Sequence, residues 1–66
     1  MRTEQINYAM RLGREAQVEK KMRIPWQDNV LIESMKTHQE SVEGNATFTE
    51  LFDAWLKGWD LQNLSN

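Results

Sequence analysis

The stretch Thr47-Phe-Thr-Glu-Leu-Phe-Asp-Ala-Trp-Leu-Lys-Gly-Trp59 constrains this chain more than any other. Phe48, Leu51, Phe52, Trp55, Leu56 and Trp59 recur at i, i+3, i+4, i+7, i+8 and i+11. At about 3.6 residues per turn that spacing lines one face of a helix. Four large aromatic side chains on one stripe are too much apolar surface to leave in water, so this face is expected to be buried. Thr47 followed by Glu50 has the capping-box spacing, which places the helix start at residue 47 and its end near residue 62. Ala54, Gly58 and Leu61 form a flank beside this face on which another helix can approach closely. Close approach gives a physical reason for Gly58, since glycine inside a helix costs about 1 kcal/mol against alanine.

A chain of 66 residues makes one domain and buries roughly 60% of its unfolded surface. It holds no cysteine, which removes disulfides and thiolate metal sites. Stability has to come from side-chain packing, helped by oligomerisation where the core is thin.

Residues 3–23 read as the first helix, with Thr3 as N-cap. Ile6, Ala9, Met10, Gly13 and Ala16 share one face, and its small residues are expected to receive the aromatic stripe of the last helix. No helix breaker precedes Pro25, so the second half of this helix is expected to project, carrying Val18 and Met22 towards a partner. Pro25 forces a turn, with Trp26 expected to fold back as a plug over one end of the bundle. A second helix is expected over 28–43, capped by Asp28 and stopped by Gly44. Leu31, Met35, His38 and Val42 form its stripe. Residues 63–66 are expected to fray.

Net charge is −2, unevenly distributed. Arg11, Arg14, Lys20, Lys21 and Arg23 against Glu15 and Glu19 leave residues 11–23 at +3, whereas residues 28–60 carry −5. Arg11, Arg14 and Lys21 fall within one arc of the first helix, with Tyr8 and Trp26 near its ends as stacking surfaces. That arc is the candidate nucleic-acid contact. Its ordinary reading is a solvated helix face or a protein-binding patch.

His38, the only histidine, has Ser34 and Ser41 one helical turn to either side, the raw material of a nucleophile and base. A bundle of this size leaves little room for the orienting group, oxyanion pocket and cleft that catalysis also needs, so no enzymatic activity is expected. No paired-histidine spacing or glycine-rich phosphate loop occurs, and no metal or cofactor is expected. The longest aliphatic run is Val30-Leu31-Ile32, and no secretory pattern opens the chain, which favours a cytoplasmic protein without membrane contact.

Trp55-Leu-Lys-Gly58-Trp59, with Pro25-Trp26 upstream, resembles the Trp-x-x-Gly-Trp and Pro-aromatic elements of the ribosome modulation factor family. Here those elements lie much further apart, Ile24 rather than cysteine precedes the proline, and the chain is acidic. The order of long helix, proline turn, short helix and aromatic last helix is similar in layout to the theta subunit of bacterial DNA polymerase III. Neither likeness is specific enough to assign a family.

The sequence therefore implies an all-α, three-helix bundle, open to completion by dimerisation, in which the first and last helices form the main pair. The functional expectation is a non-enzymatic adaptor or regulator acting through protein–protein contact, with itself as one candidate partner. Val18, Met22, Trp26 and Val30 have no place in a three-helix core and, with Ala54, Gly58 and Leu61, are the candidate partner-binding residues. The alternative is a nucleic-acid- or ribosome-associated regulator using Arg11, Arg14 and Lys21.

Overall fold

The helix carrying the aromatic face starts where its capping box places it. Glu50 N–H donates to Thr47 Oγ1 at 3.1 Å, and Thr47 N–H donates back to the Glu50 carboxylate at 2.9 Å. Glu40, from the preceding loop, accepts the next free amide, Phe48 N–H, at 2.8 Å. In the computed structural model, which describes residues 2–65, this is the last of three α-helices. They are α1 (Arg2–Val18), α2 (Asn29–Lys36) and α3 (Phe48–Ser65), with a 3-10 turn at Pro25–Gln27 leading into α2. The described residues contain no strand, and the fold is all-α with α1 packed on α3.

Side-chain pairs show that α1 and α3 run in the same direction. Arg2 pairs with Glu50 near their starts, and Gln17 donates to Asn63 at 3.1 Å near their ends. The contact between them is made of backbone. A Cβ on Gly13 would lie 1.9 Å from the Trp55 carbonyl oxygen, and a Cβ on Gly58 would lie 2.0 Å from the Met10 carbonyl oxygen. Each glycine therefore removes a clash that any other residue would create, and Ala9, Ala16 and Ala54 extend the same close seam. This corrects the expected pairing. The small face of α1 receives the Ala54–Gly58 flank of α3, not its aromatic stripe.

Turning the small flank towards α1 points the aromatic stripe towards the return path of the chain. Trp55 is 1% exposed and lies with Leu31 at the centre of the core, while Phe48, Phe52, Leu56 and Trp59 are half-buried around it. The Trp55 indole N–H donates to Asp28 Oδ2 at 2.8 Å. The other carboxylate oxygen of Asp28 caps α2, accepting Val30 N–H at 3.0 Å and Leu31 N–H at 3.3 Å. One buried carboxylate thus ties the middle of α3 to the start of α2.

Four helix boundaries differ from the sequence expectation. α1 begins at Arg2, so Thr3 lies inside the helix and is not its N-cap. α1 stops at Val18 instead of projecting to residue 23, because Lys20 adopts the left-handed region (φ 63°) and closes a Schellman motif. Lys21 N–H reaches Ala16 O and Lys20 N–H reaches Gln17 O, both at 2.9 Å. α2 ends at Lys36, not 43. His38 leaves the helix to contact the Ala46 carbonyl, Asn45 donates to Gln39 O, and Glu40 is drawn to Phe48 N–H. Gly44 does adopt a left-handed conformation (φ 91°), but in the turn of that loop. α3 continues through Ser65 where fraying was expected, and Asn66 lies outside the described residues.

Two sets of variants test this packing. Gly58→Ala gains about 1 kcal/mol in helix propensity yet drives a methyl into the α1 backbone. A net loss of roughly 3 kcal/mol is expected in urea unfolding, and a net gain would mean that the helices do not touch there. Asp28→Ala removes a cap and strands the buried Trp55 N–H, at a cost of about 3 kcal/mol. A double-mutant cycle with Trp55→Phe is expected to show a coupling of about 1 kcal/mol or more, and strict additivity would rule out the bond.

Candidate interaction surface

The segment that leaves α1 is fastened to α3 at two points. Arg23 makes a bidentate pair with Asp60, at 2.7 and 2.8 Å, and the Trp59 indole N–H donates to Lys21 O at 3.0 Å. Between and beside these anchors the chain makes a tight turn, Ile24 N–H to Met22 O at 2.8 Å, before entering the 3-10 turn. The backbone is held while the side chains between the anchors stand in solvent. Met22 is 69% exposed and Trp26 65%, so Trp26 is not the expected plug. Val18, the last residue of α1, and Leu61 and Leu64, in the last turns of α3, are exposed as well.

Of the candidate partner-binding residues, the structure brings Val18, Met22, Trp26 and Leu61 to this end of the molecule. Val30 is exposed on α2, where it shares a shallow concavity with Tyr8 of α1. Ala54 and Gly58 are removed from the set, since both are buried in the seam with α1. Below the turn lies a hollow of about 220 Å³, walled by Lys21, Met22, Ile24 and Gln27 and floored by Asp28 and Trp55.

The basic residues are dispersed. Lys21 lies beyond the end of α1, so the single arc with Arg11 and Arg14 does not form. Arg11 sits over the Tyr8 ring at 5.7 Å and reaches Glu15 at 4.0 Å, while Lys21 pairs with Glu19 at 3.2 Å. Arg14 and Lys20 are exposed and make no ion pair among the described residues.

Of the groups considered for catalysis, Ser34 and His38 are engaged by backbone. Ser34 Oγ donates to Leu31 O at 2.7 Å, and His38 Nε2 lies 2.5 Å from Ala46 O with its ring tilted against Phe48. Both line a small hollow of about 170 Å³ with Gln5 and Tyr8. No hydrogen bond joins the hydroxyl and the imidazole among the described residues. No group of three or more potential metal ligands occurs among them either. No helix of the described residues is long and apolar enough to cross a membrane. Compared with protein-family models, with curated proteins and with solved structures, the chain matches none.

Sequence reading missed the two anchors of this surface, Arg23–Asp60 and Trp59–Lys21. The pairs span 37 and 38 residues, so no local spacing marks them.

Two measurements follow from this geometry. Lys20 occupies a left-handed position that glycine adopts without a Cβ penalty. Lys20→Gly is therefore expected to stabilise the fold by about 0.5–1 kcal/mol, raising Tm by several degrees. A loss of stability would mean that the Lys20 side chain itself holds the turn. The hydrogen bond from Arg23 lowers the Asp60 carboxyl below its ordinary pKa, outweighing desolvation, with charge attraction adding to it. A lowered folded-state pKa gives stability that is present above the ordinary value of 3.8 and is lost as pH falls through the folded value. Asp60→Asn is thus expected to be less stable than the parent near neutral pH, with the difference shrinking in acid. A difference that stays unchanged however far the pH falls below the ordinary carboxyl value would place its cause elsewhere.

Proposed function

We propose that this chain is a small, non-enzymatic interaction module that acts as an adaptor or regulator by protein–protein contact. The observation that carries the reading is the exposure of Met22 and Trp26 on and beside a backbone segment pinned by Arg23–Asp60 and Trp59–Lys21, with Val18 and Leu61 exposed near the ends of α1 and α3. Exposed aromatic and methionine side chains on a held backbone lose little conformational freedom on docking and form the usual anchors of an interface. In a chain this small, such residues would strengthen the core if turned inward. Their position outside favours a role in binding.

The nucleic-acid reading has less behind it. Its three cations are separated, and two of them already face glutamates. On the segment 11–23 only Arg14 and Lys20 make no ion pair among the described residues, a short electrostatic footprint for a polyanion.

A photo-crosslinking amino acid at position 22 or 26 tests the proposal in cells that express the protein. The expected result is a discrete protease-sensitive adduct, absent when the same group stands at Thr49. A nuclease-sensitive adduct would favour the alternative, and equal labelling from all three positions would overturn the interaction surface. A Met22→Ser/Trp26→Ser double variant is expected to abolish the adduct formed from position 18. Its stability should stay within about 0.5 kcal/mol of the parent, as for surface substitutions generally.

A further inference from the structure

The apolar surface and the charge asymmetry meet at the same end of the molecule, which is 37 Å long and 19 × 14 Å across. The segments 11–28 and 57–65 are gathered there by the Gln17–Asn63, Lys21–Trp59 and Arg23–Asp60 contacts. Their basic side chains, from Arg11 to Lys57, outnumber Glu15, Glu19, Asp28 and Asp60 and leave +2. The remainder carries Arg2 and Lys36 against Glu4, Glu33, Glu40, Glu43, Glu50 and Asp53, which leaves −4. Four exposed apolar side chains (Val18, Met22, Trp26 and Leu61) thus belong to the segments of net positive charge, whereas Val42 is exposed on the acidic loop.

We infer that the docking segment of the partner is a peptide stretch carrying both carboxylates and apolar side chains, and that it does not belong to a second copy of this chain. The inference rests on the interaction reading above and narrows it. A two-fold dimer through this end would set Arg14, Lys20 and Lys21 against their own copies, matching apolar surface at the expense of charge. A head-to-tail contact would satisfy charge, but it would lay Met22 and Trp26 on a polar, acidic surface and leave an open, growing chain. Only a segment with alternating acidic and apolar character meets both requirements. Lys20 supports the same conclusion from the backbone. Its left-handed geometry is one that glycine fills with less strain, yet the position holds a cation without an ion pair among the described residues.

The test is fluorescence anisotropy with a labelled helix-forming peptide of about 18 residues that carries Leu and Phe on one face and Glu on the other. Two companion peptides replace the Glu residues by Lys or the apolar residues by Ser. Oligo-dT and phosphatidylserine vesicles serve as further probes, and sedimentation reports self-association. The acidic amphipathic peptide is expected to bind at least tenfold more tightly than either companion. Its binding should weaken several-fold between low and physiological salt. Lys20→Glu/Lys21→Glu and Met22→Ser/Trp26→Ser should each reduce binding at least tenfold, whereas Glu43→Lys should leave it unchanged. Equal binding of the lysine peptide, or no binding of the acidic one, overturns the inference. A dimer broken by Met22→Ser/Trp26→Ser also overturns it, but leaves the protein-contact reading standing. Stronger binding to oligo-dT or to vesicles than to any peptide removes both.

Discussion

The fold depends on one contact, the meeting of the α1 and α3 backbones across Gly13 and Gly58. A Cβ at either position would fall within about 2 Å of the opposing helix's carbonyl oxygen, so the two helices approach closely only because both side chains are missing. Parallel helices joined this closely bury little side-chain area at their seam. The bulk of the hydrophobic stabilisation falls instead to the residues rotated away from it, with Trp55 and Leu31 at their centre. α2 is short, at eight residues, and an isolated helix of that length is marginal in water. It is held because Leu31 fills the core and Asp28 caps its first turn while accepting the Trp55 indole N–H. The order of dependence therefore runs from the glycine seam, to the direction of the aromatic stripe, to the position of Trp55, and from there to α2.

The same geometry accounts for what remains outside. With the small flank of α3 facing α1, the other side of α3 is only partly covered by α2 and the loops. Phe52, Leu56 and Trp59 stay half-buried. Trp59 and Asp60 then fix the segment that follows α1, and that segment carries Met22 and Trp26 outward. Core and candidate surface are thus two consequences of one rotation of α3 about its axis.

What could be read from the residues was largely local. The Thr47–Glu50 box and the Asp28 cap depend on neighbours within three residues, and both form as their spacing implies. Periodicity marked both faces of α3 and the small face of α1, but it does not say which face meets which neighbour. On periodicity alone the aromatic stripe falls to α1, and Ala54 and Gly58 remain for a partner. The end of α1 was hidden because a lysine, not a glycine, takes the left-handed position. The end of α2 was hidden because His38, Glu40 and Asn45 bond to groups six to eight residues away that no helical pattern encodes. Exposed Val18, Met22 and Trp26 were found by exclusion, as residues without a place in the core. The anchors that present them join residues far apart in sequence and left no trace in it.

The most direct test of the glycine seam is a nuclear Overhauser spectrum of the uniformly labelled protein. Cross-peaks are expected from the Gly58 Hα protons to Met10 and from the Gly13 Hα protons to the Trp59 amide, in a chain whose shifts report three helices. If those peaks are missing and the rings of Phe52 and Trp59 instead show contacts to Ala9 and Gly13, the aromatic stripe faces α1, and the account of both core and surface fails.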